Sequence, residues 1–200
     1  MLHNSQAFFD HCRSTILGPT LSQEEVEGCE AILAAMDGAP IAYTAYALAT
    51  AFHETAHTLQ PVKEFGGWKY LAKYDTGKLA QALGNTSDAD GDGQLYAGRG
   101  YVQLTGRANY RKAGVKLGLN LLGYPDMALE PDVAAKIMRQ GMDEGWFTGK
   151  KFSSYLPADK PALLDEFRLA RKIINGLDKA NLIASHAVQF QMALMKGRWA

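Results

Sequence analysis

Two histidines and two carboxylates stand close together in a stretch that is otherwise poor in charge. Residues His53-Glu54-Thr55-Ala56-His57 read as H-E-x-x-H. On a helix this spacing puts both histidines on one face to hold zinc, with the glutamate as general base. A catalytic zinc needs a third protein ligand. The extended metallopeptidase pattern asks for Gly at 60 and His at 63, where this chain has Gln60 and Lys63. After Glu64 no glutamate follows until Glu130, which leaves Asp75 and the loop aspartates as third-ligand candidates. The preferred reading gives His53 and His57 hydrogen-bonding roles near a carboxylate, and expects no metal and no cofactor. Between Gly38 and Gln60, Glu54 is the one residue among Asp, Glu, Lys and Arg. With Ile41, Ala45, Leu48, Phe52, Ala56 and Leu59 forming the apolar stripe, Glu54 points away from it, at about 100° per residue. A lone acid in weakly polar surroundings suits a general acid. Glycosidic hydrolysis takes a second carboxylate. Glu64, beyond the Pro61 break, is the candidate; its alternative is a surface pair with Lys63.

The segment Tyr96 to Tyr110 has a different character. Gly98, Gly100 and Gly106 permit backbone close to a ligand. Gln103, Thr105 and Asn109 offer amides and a hydroxyl suited to sugar hydroxyls and N-acetyl groups, and Tyr96, Tyr101 and Tyr110 offer rings. On a strand, Tyr101, Gln103 and Thr105 would share one face; the plainer alternative is a hairpin with a polar face. Upstream, Asp88, Asp90, Asp92 and Gly93 imitate the start of an EF-hand loop, but its twelfth position is Arg99 where a bidentate Glu is required. A polar loop is expected there, with at most weak ion binding.

The run Gly-Arg-Gly-Tyr-Val-Gln-Leu-Thr-Gly-Arg-Ala-Asn-Tyr, residues 98–110, closely resembles the signature of glycoside hydrolase family 19. His53-Glu54-Thr55 resembles that family's catalytic His-Glu-Thr, and Ile174-Asn175-Gly176 its late Asn-Gly, in the family's order. The phrase His-Glu-Thr-Ala-His-Thr-Leu-Gln-Pro is more like the phage and prophage endolysins than the plant chitinases. The resemblance implies a mainly α, lysozyme-like bilobal fold with a small β-hairpin beside the substrate cleft, and an inverting mechanism. It makes Glu54 the general acid, Glu64 the second carboxylate and Thr105 the residue that positions water. Gln103, Asn109 and Asn175 become substrate contacts, with Tyr96, Arg99 and Tyr110 completing the set. The chain departs from the pattern in places. The second acid of the chitinases lies farther from the first than Glu64 from Glu54, Gly176 is followed by Leu177, and plant disulfides have no counterpart.

These groups must be positioned by elements that are mostly helical. Helices are expected over 4–16, from the Ser22/Glu25 capping box to about 36, and over 41–60, the last ended by Pro61. A helical segment is expected over 69–83, a polar loop over 84–93 and a short strand or hairpin over 96–105. Further helices are expected at 107–117, 132–147, 161–174 and 178–196, with Pro131 and Pro161 in first-turn positions. With 200 residues, 47% of them hydrophobic, one catalytic domain over 1–200 is expected.

Lys+Arg and Asp+Glu balance at 21 each, which argues against a nucleic-acid partner. Cys12 and Cys29 fit no disulfide framework or zinc spacing. The start, MLHNSQAFFDHCRST, lacks a secretory pattern, and no run is long enough to span a bilayer. What the resemblance implies, and these features fit, is a monomeric endolysin that hydrolyses peptidoglycan glycan strands as a muramidase. It would be made in the host cytoplasm and reach the wall in the periplasm after release through a holin. The alternatives are a chitinase, a zinc metallopeptidase and a non-enzymatic wall-binding module.

Overall fold

The computed structural model describes all of residues 1–200 and divides the chain into two compact units, 1–60 with 138–200, and 61–137. The first unit is helical. Helices α1 (Ser5–Thr15), α2 (Gln23–Ala35) and α3 (Ile41–Glu54) are followed, after the second unit, by α9 (Leu164–Ala170) and α10 (Ala180–Lys196). The capping box that opens α2 is formed: the Glu25 N–H donates to Ser22 Oγ at 3.1 Å and the Ser22 N–H to Glu25 Oε2 at 2.8 Å. Every residue of α3 from Ala42 to Phe52 is buried, as its near absence of charge demands. Helix α10 packs against α3, α1 and α9, and Phe8, Tyr46, Phe152, Phe167 and Phe190 fill the interior. Cys12 and Cys29 are free and buried; burial pushes the Cys12 thiol up to about 12 and Cys29 well above its ordinary value.

Helix α3 stops six residues short of the expected end. Thr55 ends it by turning inward: its hydroxyl donates to the Ala51 carbonyl at 2.8 Å and accepts the Leu59 N–H at 3.0 Å. Ala56, His57 and Leu59 then take left-handed backbone, with φ of 52°, 74° and 53°. Such residues cost about 1 kcal/mol or more each, and burial of Leu59 helps offset it. The segment lies against α2 at Gly28, where a Cβ would fall 1.9 Å from the Leu59 carbonyl oxygen. Local helix propensity carried the expectation to Gln60; tertiary packing overrode it.

The second unit holds the only sheet, two short antiparallel strands, β1 (Val62–Lys63) and β2 (Arg99–Gly100), with Val62 opposite Gly100 and Lys63 opposite Arg99. Around them lie α4 (Trp68–Leu71), α5 (Gly77–Leu83), α6 (Asp92–Leu95) and α7 (Arg107–Leu117). Helix α8 (Pro131–Glu144) starts with proline in the first turn, as expected. The expected 69–83 helix is broken by a 3-10 turn over 72–74 and by Gly77 at φ 74°. The expected strand over 96–105 shrinks to two residues, because Gln103 adopts φ 54° and turns Leu104 back to bridge Arg99. Tyr101, Gln103 and Thr105 therefore do not alternate on one strand face. Pro161 precedes α9 by three residues instead of opening it. No helix is long and apolar enough to cross a membrane.

Candidate active site

In the first unit, Glu54 is the last residue of α3, and its charge partner comes from far along the chain. Arg171, in the 3-10 turn after α9, donates through Nη1 to Glu54 Oε1 at 2.6 Å. The Arg171 side chain is 3% exposed and that of Glu54 23%. Arg171 Nε also donates to the Asp178 carbonyl at 3.1 Å, and its own carbonyl accepts the Asn175 N–H at 2.9 Å. One turn thus holds the Glu54 carboxylate and carries Asn175, whose side chain sits exposed and accepts the Gly176 N–H at 2.8 Å. A charge-assisted bond from a planar guanidinium fixes the carboxylate more firmly than solvent would. Glu54 is therefore not the lone acid it resembles in the sequence.

The early end of α3 also undoes the zinc geometry. Two ligands at i and i+4 need a continuous helix, and His57 lies beyond the helix in left-handed backbone. Its ring stacks on Phe52 at 4.2 Å and 14°, and meets His186 of α10 edge-on at 5.9 Å. Burial is the first cause holding His53 and His186 below the ordinary histidine value. His57 adds to it for both, and His53 for His186; for His53, Glu54 and Asp178 oppose while Arg171 lowers further. The third-ligand candidates are occupied as acceptors within the loop. Asp75 Oδ1 takes the Gly93 N–H at 2.6 Å, Asp92 Oδ2 the Thr86 N–H at 2.9 Å, and Asp90 Oδ1 the Asp92 N–H at 3.2 Å. No group of three or more His, Cys, Asp or Glu is arranged to hold a metal ion. The EF-hand-like spacing is a self-bonded loop for the same reason.

In the second unit, Glu64 continues β1, its N–H donating to the Gly98 carbonyl at 2.7 Å. Its carboxylate accepts the Tyr74 hydroxyl at 3.0 Å and the Gly98 N–H at 3.3 Å, with Lys73 Nζ at 3.8 Å. The expected alternative partner, Lys63, goes elsewhere, to Asp126 at 3.7 Å. Gly98 is the centre of this cluster. A Cβ there would fall 2.6 Å from Gln103 Oε1, 3.0 Å from Thr105 Oγ1 and 3.3 Å from Glu64 Oε2, so only glycine lets the three polar groups converge. The Gln103 amide is held by the Val62 carbonyl at 3.0 Å, Thr105 Oγ1 donates to the Gln103 carbonyl at 2.9 Å, and Asn109 Nδ2 donates to the Thr105 carbonyl at 2.7 Å. These bonds fix the acceptor and donor atoms before any ligand arrives.

Three residues expected to touch sugar are placed beneath this cluster. The Arg99 side chain is 2% exposed; it donates to Asp126 at 2.7 Å and, through Nη1, to the carbonyls of Leu95 and Ala97 and to the Tyr110 hydroxyl, each at 3.0 Å. Tyr110 is buried and donates to the Ala97 carbonyl at 2.9 Å. Tyr96 is buried against Tyr110 and donates to the Leu122 carbonyl at 3.3 Å. Their polar atoms are spent on the loop that shapes Gly98, which makes them supports and not ring platforms. Sequence reasoning missed Arg171, Tyr74 and Lys73. Tyr74 follows Glu64 by ten residues, across α4 and a 3-10 turn, with no periodic signal linking them; Arg171 is 117 residues from Glu54.

No protein-family profile matches the chain. Among curated sequences it is 34% identical over 88 residues to chitinase 11 of Oryza sativa subsp. japonica, covering 44% of this chain and 31% of that one. It is 59% identical over 32 residues to chitinase 8 of the same plant, covering 16% and 12%. The chain thus spans less than a third of the length of these relatives. Among solved structures it matches chitinase C from Streptomyces griseus HUT6037 with a TM-score of 0.61 and 21% identity, over 97% of this chain and 77% of that one. It matches a bacterial family 19 chitinase with a TM-score of 0.55 and 19% identity, over 97% and 95%. The fold is that of the family 19 chitinases: lysozyme-like, mainly helical, with a small antiparallel sheet.

Proposed function

We propose that the chain is a glycoside hydrolase that cleaves the β-1,4 bonds of N-acetylated glycan strands by acid/base catalysis. One observation carries the reading: Glu64, Gln103 and Thr105 converge on Gly98, with the carboxylate held by Tyr74 and the Gly98 N–H. Inverting hydrolysis needs a carboxylate that removes a proton from water on one face of the sugar, and an acid that protonates the departing oxygen. Glu64 is the base in this reading and Thr105 helps seat the water. Glu54, oriented by Arg171, is the acid. Gln103, Asn109 and Asn175 would meet hydroxyl and N-acetyl groups. The C–O bond breaks as the water oxygen bonds the anomeric carbon, so one proton enters at the leaving oxygen and one leaves the water.

The finer reading is an endolysin with muramidase action, supported by the His-Glu-Thr-Ala-His-Thr-Leu-Gln-Pro phrase. Its partner would be peptidoglycan, reached in the periplasm by a monomer released through a holin. A second reading is chitin hydrolysis, favoured by the chitinases that the fold and the sequence matches share. Turbidity loss of outer-membrane-stripped Gram-negative cells, beside turnover of N-acetylglucosamine oligosaccharides, separates the two. Mass analysis of the fragments names the bond. Lysis that Glu54→Gln abolishes and EDTA spares is the expected result; the absence of both lysis and oligosaccharide turnover overturns the glycosidase reading.

A further inference from the structure

The second unit carries a groove that the proposed chemistry does not use. It has a volume of about 570 Å³, in the range of ligand sites, and is lined by Lys63, Trp68, Asp90, Gln94, Tyr124 and Asp126 among others. Strand alternation separates it from the Glu64 cluster. Successive residues of β1 point to opposite faces, so Lys63 reaches Asp126 while Glu64 turns to Tyr74 and Gly98.

Two aromatic rings border the groove and are open to solvent. Trp68 is 73% exposed and Tyr124 67%, values unusual for side chains of that size. The backbone beneath each is fixed. The Trp68 carbonyl accepts the Gln94 side-chain amide at 2.9 Å, and its ring edge lies over Gly91, where a Cβ would stand 3.5 Å from it. Tyr124 follows Gly123 in a turn closed by its N–H on the Asn120 carbonyl at 3.0 Å. The rest of the lining mixes apolar groups with fixed charged ones. The exposed Asp126 carboxylate is fixed at 2.7 Å by the buried Arg99, which with Lys63 keeps it below the ordinary carboxylate value even though burial opposes this. Asp90 presents a second carboxylate, oriented by Thr86 and the Asp92 N–H.

Open rings beside fixed hydrogen-bond acceptors suit a ligand with apolar faces and many hydroxyl donors, which is the chemistry of a pyranose. The two carboxylates disfavour a polyanion such as nucleic acid, and charged groups set among the apolar lining do not match an apolar protein patch. We infer that the Trp68–Tyr124 groove is a second glycan-binding site, which holds an N-acetylhexosamine chain away from the hydrolytic residues. The choice of glycan rests on the glycosidase reading; the presence of a built site does not.

The test uses the full chain carrying Glu54→Gln, so that polymer is not consumed, with Trp68→Ala or Tyr124→Ala added. Retention on insoluble chitin and on purified peptidoglycan sacculi is measured by sedimentation. Each ring removal is expected to weaken retention on one of the two polymers at least about fivefold, a change within the reach of one aromatic contact. In the otherwise native chain, the same substitutions should leave turnover of a short soluble oligosaccharide within about twofold, since a contact spent only on remote binding does not enter the chemical step. The two rings sit in separate segments, Trp68 opening α4 and Tyr124 in a turn, so a folding defect in one variant leaves the other informative. Unchanged retention in both variants, or no retention by the parent, overturns the inference. Ring-dependent retention by a chain that hydrolyses nothing would uphold the groove and overturn the glycosidase reading.

Discussion

Glu54 and Glu64 lie ten residues apart in sequence yet are held in opposite ways. Glu54 ends a helix buried from Ala42 to Phe52 and is gripped by one buried guanidinium from 117 residues away. Glu64 follows a two-residue strand and is held by a hydroxyl, a backbone N–H and a more distant ammonium, all from within 61–137. One carboxylate is thus held by a single buried ion pair and the other by a softer, mixed cradle beside Thr105; on the proposed reading the first serves as acid and the second as base.

The comparison breaks most sharply at the carboxyls themselves. Glu54→Gln and Glu64→Gln keep size and most hydrogen bonds, and each is expected to lower kcat by about 100-fold or more, read as reducing-end release. Equal activity in Glu64→Gln would move the base to another residue. Next, Arg171→Ala leaves Glu54 without its partner. It is expected to cost about 2 kcal/mol in urea unfolding, less than the 3–5 of a fully buried pair because Glu54 is partly open to solvent. Arg171→Lys should recover most of the stability but less of the activity, because an ammonium does not reproduce the fork. If Arg171→Ala unfolds like the wild type, the grip is decorative.

The softer cradle is probed by Gly98→Ala. Its Cβ must displace Gln103, Thr105 or Glu64 by tenths of an ångström or more. About a tenfold loss of kcat is expected, with little change in melting temperature because the backbone there has an ordinary φ. The smallest effect concerns the histidines behind Glu54. His53 and His186 titrate below the ordinary 6.5 in the fold, so as pH falls through that value the unfolded chain takes up protons that the native one refuses. Stability conferred by their neutral forms is complete above about 6.5 and declines below it, down to the lowered native values. Melting curves between pH 7.5 and 5.5 should show the decline, and His186→Phe should flatten it. An unchanged slope in that variant would place the effect elsewhere.

Much of this was legible in the chain itself. The α2 capping box, α7 at 107–117, the central burial of α3 and the dominance of helix follow from local patterns that tertiary contacts reinforce. The glycines, amides and hydroxyl of residues 98–109 marked a polar cluster correctly in kind, because residue type limits what a segment can bond. Which of them face a ligand was not legible. Tyr96, Arg99 and Tyr110 carry the same chemical groups as their neighbours, and only the fold consumes those groups internally.

The sequence determined the inventory: a lone acid in an apolar helix, a second beyond a proline, and a glycine-rich polar run resembling one family's signature. Tertiary structure decided the pairing. It ended α3 at Glu54, because packing of Leu59 and of His57 on Phe52 outweighs one and a half more turns of helix, and so removed the zinc geometry that the same five letters spell. It also brought Arg171 to Glu54, a contact that no local periodicity encodes, since a distant pair is set only when the whole core around it has closed.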